Sequence, residues 1–349
     1  MDQPTLQQDL VSASPARKRV LITGIAGFVG SNLVEYLLDA FPGKLAIFGI
    51  TANADTPHLA AMQDHPDLTL RRLQLENAAG LNAAVAEIRP DFIFHLAAQS
   101  FVGPAISNPG LTLNTNINIT LNLFEAVRQA GLAEHTRLLN AGSGDQYGFI
   151  QPENLPVRED TPFRPGNPYA VSKIAQEMLG YQYSRSYKMP IFNTRAFNHL
   201  GPRQSDQLAA GAFARQIAQA EAGQIEPVIR VGNLQARRDY TDVRDVVRAY
   251  WLALQPEIAG HSGCLPGEPY NICSGRAFSM QEILEKLIGL ARLPLEVSPD
   301  PARMRPSDLP EVVGDNTRFR QATGWQPAIP LEKSLADLLD YWRSAVKAS

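Results

Sequence analysis

Cysteine is nearly absent from this chain: Cys264 and Cys273 are the only two in 349 residues. Two cysteines cannot build a disulfide framework, and they lack the spacing of a metal site, so a reducing compartment, the cytoplasm, is expected and no metal is. Positive charge is not in excess either: 32 Lys and Arg stand against 35 Asp and Glu, for a net charge of -3. Nothing is left over to neutralise a phosphate backbone, which argues against a nucleic-acid partner. Long apolar runs are missing, since no stretch reaches the roughly 18 uninterrupted residues that a membrane helix requires. The first residues, Met1 to Ala16, are polar, carry Pro4 and Pro15, and lack the basic start and apolar run of a secretory signal. Residues 1–17 therefore read as a disordered leader. Internal repeats and low-complexity tracts are also lacking, although residues 299–310 are proline-rich and read as a loop.

What is present suits a globular enzyme. Hydrophobic residues make up 44% of the chain, enough for a core in one large α/β unit or a domain with a smaller lobe. From Arg19 onward, short apolar runs alternate with longer helical patterns: Val20-Leu21-Ile22, a helix through Leu33 to Leu38, then Leu45 to Ile50. Leu68 to Leu75, a helix near Leu81 to Ile88, Phe92 to Leu96, a helix near Leu111 to Ala130, and Arg137 to Asn140 continue the rhythm. That order predicts a Rossmann-type, doubly wound parallel sheet, with ligands bound beyond the carboxyl ends of its strands. The rhythm weakens after about residue 200, where short strands such as Pro227 to Val231 and Pro269 to Ile272 interleave with helices. The expected division is a dinucleotide-binding domain over 18–195 and a smaller substrate lobe over 196–349, some of whose segments return to the first domain.

Three motifs carry chemistry. Thr23-Gly24-Ile25-Ala26-Gly27-Phe28-Val29-Gly30 follows the first strand and opens the first helix. Glycines there let the backbone turn and approach a pyrophosphate, while the helix start offers free N–H groups to the same anion. Tyr169-Ala170-Val171-Ser172-Lys173 is the only Tyr-x-x-x-Lys in the chain and follows Gly166-Asn167-Pro168, a plausible helix start. Spacing of four puts both side chains on one face, where an ammonium is expected to lower the phenol's pKa and make a general acid/base. Ser143, in Ala141-Gly142-Ser143-Gly144-Asp145-Gln146-Tyr147-Gly148, ends the fifth strand at the ligand edge and can hydrogen-bond a carbonyl. Gln146 and Tyr147 read as part of the site wall. His95 and His199 read as structural.

The second strand ends Gly49-Ile50-Thr51-Ala52-Asn53 without the acid that holds a ribose 2′-hydroxyl in NAD enzymes. This removes a repulsion against a 2′-phosphate, yet no arginine follows to bind one, so NADPH is favoured with NADH as a second option. Thr51 stays among the cofactor-side candidates. Gln74-Leu75 stands after the third strand at the expected adenine site.

TGxxGxxG resembles the fingerprint of the extended short-chain dehydrogenases/reductases, and the resemblance spans nearly the whole chain. It includes His95-Leu96-Ala97-Ala98-Gln99-Ser100, Phe197-Asn198-His199-Leu200-Gly201-Pro202, Val231-Gly232-Asn233, Arg238-Asp239 and Arg305-Pro306-Ser307-Asp308, which together look like the GDP-mannose branch of the nucleotide-sugar enzymes. The resemblance implies a catalytic triad of Ser143, Tyr169 and Lys173, with Asp145 on a neighbouring sugar hydroxyl. It implies cofactor contacts from Gly24, Gly27, Phe28, Val29, Gly30, Thr51, Gln74, Leu75, Leu96, Ala97 and Ala98, and substrate contacts from Asn198, Arg203, Arg238 and Arg305. Relatives commonly dimerise through two helices, here those near 111–130 and 169–187. Within the branch, a dehydratase resembles Thr-Asp-Glu or Thr-Ser-Glu where this chain has Ser143-Gly144-Asp145, and Gly144 brings no functional group. The expected activity is therefore reduction of GDP-4-keto-6-deoxy-D-mannose to GDP-D-rhamnose. GDP-mannose 4,6-dehydratase, a nucleotide-sugar epimerase and a non-catalytic dinucleotide sensor are the alternatives.

Overall fold

In the computed structural model, residues 17–256, 260–304 and 309–348 are described. Seven strands form one parallel sheet: β1 (Lys18–Thr23), β2 (Leu45–Thr51), β3 (Leu68–Arg72), β4 (Phe92–His95), β5 (Arg137–Ser143), β6 (Ile191–Ala196) and β10 (Pro269–Ile272). Their order across the sheet is β10-β6-β5-β4-β1-β2-β3, with the reversal between β1 and β4 that makes it doubly wound. Helices α1 (Phe28–Ala40) and α7 (Val243–Ala253) lie against a core that includes Leu33, Leu37, Phe94 and Trp251. Helices α2 (Ala78–Ile88), α4 (Pro109–Gln129) and α5 (Pro168–Tyr187) bury the other, with Leu81, Val85, Leu123 and Phe124. Sandwiched strands need apolar residues on both faces, which is why they read as continuous runs rather than alternations.

Asparagines cap the starts of α4 and α5. Asn108 Oδ1 accepts the Leu111 N–H ahead of Pro109, and Asn167 Oδ1 accepts the Ala170 N–H at 2.8 Å ahead of Pro168. Each proline sits where a helix has no intrahelical partner for its N–H.

Beyond β6 the chain builds a second assembly. β7 (Asn198–Leu200), β9 (Arg237–Asp242), β11 (Ala277–Ser279) and β13 (Glu311–Val312) form one small sheet, and β8 (Val228–Val231) pairs β12 (Glu296–Pro299). Helices α6 (Ala209–Glu221), α8 (Met280–Ile288) and α10 (Leu331–Ala348) close a third core around Phe213, Ile217, Leu284 and Leu338. The short helices α3 (Val102–Ser107) and α9 (Thr317–Thr323) complete the described α-helices. β10 leaves this assembly to pair with β6 at the edge of the large sheet.

The expected leader falls outside the described residues except for Arg17, whose guanidinium donates to Leu45 O and to Asp67. Among the described residues no helix is long and apolar enough to cross a membrane.

Candidate active site

The glycine loop is a close-packed crossing. Gly24 has φ +71°, and a Cβ there would lie 2.8 Å from Ala97 N and 2.9 Å from Ala97 Cα. A Cβ on Gly30 would meet Gly24 O at 2.4 Å. Only glycine permits both contacts: the first brings the loop after β1 against Leu96 and Ala97 after β4, and the second packs the start of α1 onto the loop. Gly27 caps α1 without a side-chain hydrogen bond, and no acid stands in the first turn. The N–H groups there suit a pyrophosphate, while Phe28 stacks on His199 with ring centroids 5.7 Å apart. Val29 and Ala98 lie partly exposed along the same edge, and Leu75 is buried with its carbonyl held by Asn122 Nδ2.

Sheet register supplies what the linear sequence did not show. Thr51, the last residue of β2, is paired with Arg72, the last of β3. Side chains of paired residues share a face. Arg71 turns to the other face and pairs with Glu87, whereas Arg72 is exposed and has no ion-pair partner among the described residues. The expectation that no arginine is available near Thr51 is corrected: one stands beside it, brought from the next strand.

Ser143, Tyr169 and Lys173 do come together. Ser143 ends β5, and its side chain stands near enough to Tyr169, in the first turn of α5, to favour the phenol's charged form. Lys173 Nζ donates to Ala141 O at 2.8 Å and lies 5.8 Å from the Tyr169 ring centroid. The charge state differs from the expectation, however. Burial and then the Asp145 carboxylate push the Tyr169 phenol above its ordinary value, and the nearby Ser143 hydroxyl offsets only part of this. Burial lowers Lys173 to about 8. At neutral pH the phenol thus holds its proton, and the lysine remains mostly charged.

Asn116 of α4 organises the wall behind the triad and was not found from sequence. Its Oδ1 accepts the Gln99 N–H at 2.8 Å, while its Nδ2 donates to Gln99 O and to Ser172 Oγ. His95 is structural in its contacts: Nδ1 meets Thr23 Oγ1 at 2.8 Å and Nε2 meets Thr120 Oγ1 at 2.9 Å. Burial, then the Lys173 charge, lower its pKa to about 3, so the ring is neutral. His199 Nδ1 sits 3.0 Å from Phe197 O.

The residues expected at the nucleotide sugar are less uniform. Asn198 is exposed on β7. Arg203, with φ +74°, is turned to Glu35 of α1 at 2.8 Å, so its contact is with the first helix rather than with the triad. Arg238 donates to the carbonyls of Arg237 and Leu309. Arg305 lies outside the described residues. The neighbouring Asp239 serves the backbone instead of an arginine: it accepts Ser274 N and Oγ, Gly275 N and Gly314 N.

Phe197 lies close over Gly144. A Cβ there would stand 3.1 to 3.3 Å from three carbons of the Phe197 ring. Asp145 is exposed beside Tyr169, the one carboxylate in this turn. Among the described residues no cluster of His, Cys, Asp and Glu is arranged to hold a metal.

The chain resembles known proteins over most of its length. The sequence profile of the family described as GDP-mannose 4,6 dehydratase matches residues 21–338. The chain is 35% identical to GDP-6-deoxy-D-mannose reductase of Pseudomonas aeruginosa, over 95% of this chain and 99% of that one. It is 29% identical to GDP-mannose 4,6-dehydratase of Yersinia enterocolitica, over 92% and 93%. The solved structure of RMD from Pseudomonas aeruginosa complexed with NADPH superposes with a TM-score of 0.78 at 34% identity, covering 94% of this chain and 99% of that one. The chain belongs to the GDP-mannose 4,6 dehydratase family, in the nucleotide-sugar branch of the extended short-chain dehydrogenases/reductases.

Proposed function

We propose that the protein reduces the C4 ketone of GDP-4-keto-6-deoxy-D-mannose to GDP-D-rhamnose with NADPH. Gly144 carries the reading. A dehydratase must take the C5 proton and protonate a departing C6 hydroxyl, whereas Ser143-Gly144-Asp145 offers a single carboxylate and, at Gly144, no functional group in a position crowded by Phe197. Reduction asks less of the protein: one proton, delivered as negative charge grows on the ketone oxygen.

The bound dinucleotide supplies the hydride. Tyr169, protonated at neutrality, gives its proton to O4, and the Lys173 ammonium stabilises the phenolate left behind. Ser143 Oγ orients the ketone, and Asp145 holds a neighbouring sugar hydroxyl. The amides at the start of α1 take the pyrophosphate, and Arg72 beside Thr51 takes the 2′-phosphate, which favours NADPH over NADH.

Dimerisation through α4 and α5 belongs to the same reading. Val171, Met178 and Tyr181 are exposed on α5, at spacings that share a face, and Leu111 is exposed on α4. Cytoplasmic placement is proposed on the two buried free thiols.

The direct test is to add the keto sugar to enzyme and NADPH. Absorbance of the reduced cofactor falls, NMR of the product shows rhamnose rather than its talose epimer, and Tyr169→Phe stops the reaction while still binding NADPH. Conversion of GDP-mannose to the keto sugar without added reductant replaces this reading with the dehydratase.

A further inference from the structure

Gln146 is fully buried next to the triad, and both ends of its amide are in use. Oε1 accepts the Ser143 N–H at 2.8 Å, closing a capping box with the Ser143 side chain. Nε2 donates to Glu177 Oε2 at 2.8 Å. Glu177 lies on α5, one turn beyond Lys173, so it belongs to the same helix face.

The carboxylate is itself fixed. Arg195 of β6 holds it with two hydrogen bonds, Nε to Oε2 at 2.8 Å and Nη2 to Oε1 at 2.7 Å. The guanidinium also donates to Tyr147 OH at 2.8 Å and to Glu159 O at 2.9 Å, and lies over the Phe163 ring. Tyr147 OH donates in turn to Asn271 Oδ1 of β10 at 2.6 Å. Glu177 is acceptor-only and the Ser143 amide donor-only, so the Gln146 side chain has one orientation that satisfies both.

We propose that Gln146 is a positioning residue that fixes Ser143, at the end of β5, against the helix carrying Tyr169 and Lys173, with Glu177 and Arg195 holding it in place. The inference rests on the reductase reading. Ser143 must reach the Tyr169 hydroxyl and the ketone at once, and a displacement of about 1 Å costs roughly 100-fold in rate. Leucine would fill the space of Gln146 but leave the part-buried Ser143 N–H without this acceptor and Glu177 Oε2 with Arg195 as its remaining donor.

Two variants separate positioning from packing. Gln146→Leu is expected to lower kcat roughly 100-fold, with NADPH affinity changed less than about twofold and faster hydrogen exchange at the Ser143 amide. Gln146→Glu reproduces the native pattern only while protonated, when its carbonyl oxygen accepts from Ser143 and its O–H donates to Glu177. Once ionised, it faces Glu177 with like charge. The charged and titratable groups around this position are Glu177 and Lys173 on α5, Tyr169 at its start, Arg195 on β6, Asp145 and Tyr147 in the same turn, and Glu159 beyond it. Because Arg195 is already committed to Glu177, it does not cancel a second carboxylate.

Turnover of Gln146→Glu is therefore expected near the native level at about pH 6 and at least tenfold lower by about pH 8, well beyond the roughly twofold fall that loss of the Lys173 proton gives the native enzyme over the same range. Circular dichroism of this variant should stay constant across the same range, which also covers the case in which the leucine variant does not fold. Native turnover in Gln146→Leu, a native pH profile in Gln146→Glu, or unchanged exchange at Ser143 overturns the proposal. If the native enzyme does not oxidise NADPH with the keto sugar, the reductase reading fails, and the exchange measurement alone decides the role of Gln146.

Discussion

Lys173 makes the protein less stable than it would be with an apolar residue in the same place, and the size of that effect follows from burial. Its pKa falls from an ordinary 10.5 to about 8, caused by desolvation of the ammonium. For a lysine whose folded pKa is lowered, the unfolded chain binds more protons between the two values, so stability rises with pH across that window. The charged side chain thus costs about 3 kcal/mol at pH 7 and about 1 kcal/mol at pH 10. Lys173→Met removes this cost along with the hydrogen bond to Ala141 O, itself worth about 1 to 2 kcal/mol. The variant should be inactive yet more stable than the native protein by about 1 to 2 kcal/mol at pH 7, and this advantage should vanish or reverse by about pH 10. Urea unfolding at both pH values, followed by fluorescence of the buried Trp251 and Trp325, measures the difference. A gap between the two proteins that does not move with pH would refute the assignment of a desolvated, charged lysine.

Other substitutions separate the roles given to neighbouring residues. Arg72→Ala should weaken NADPH binding severalfold in calorimetry and leave NADH binding unchanged; equal loss for both cofactors would remove Arg72 from the 2′-phosphate site. Arg203→Ala should leave the KM for the nucleotide sugar within about twofold and stability within about 1 kcal/mol, because the half-exposed Glu35 is its partner. A tenfold rise in KM would restore it to the substrate. Asp239→Asn should cost about 1 to 3 kcal/mol in thermal or urea unfolding, since its amide nitrogen would then confront either the Ser274 N–H or those of Gly275 and Gly314. An unchanged unfolding midpoint would show that these amides find other acceptors.

Much of the fold was legible because it depends on local patterns. Buried parallel strands give apolar runs, so Val20 to Ile22, Leu45 to Ile50 and Phe92 to His95 were readable without partners, as was the helix started by Asn167 and Pro168. The glycine loop and the spacing of Tyr169 and Lys173 were readable for the same reason. Relations between distant segments were not. Arg72 approaches Thr51 only through strand register, Arg203 meets Glu35 only when β7 packs beside α1, and Gln146 becomes a brace only when α5 and β6 bring Glu177 and Arg195 to it. The proton state of Tyr169 was misjudged because motif spacing shows the lysine but not the burial of the phenol or the Asp145 charge.

β10 ties the making of the sheet to the direction of synthesis. A ribosome releases β6 well before Pro269–Ile272, and until those residues emerge the nascent chain carries an open row of β6 amides and carbonyls. Asn271, which receives the Tyr147 hydroxyl, arrives in the same late segment. A fragment cut after Ala196 would expose an adhesive strand and lack the anchor for Tyr147, so the two halves of this chain are poor candidates for separate expression.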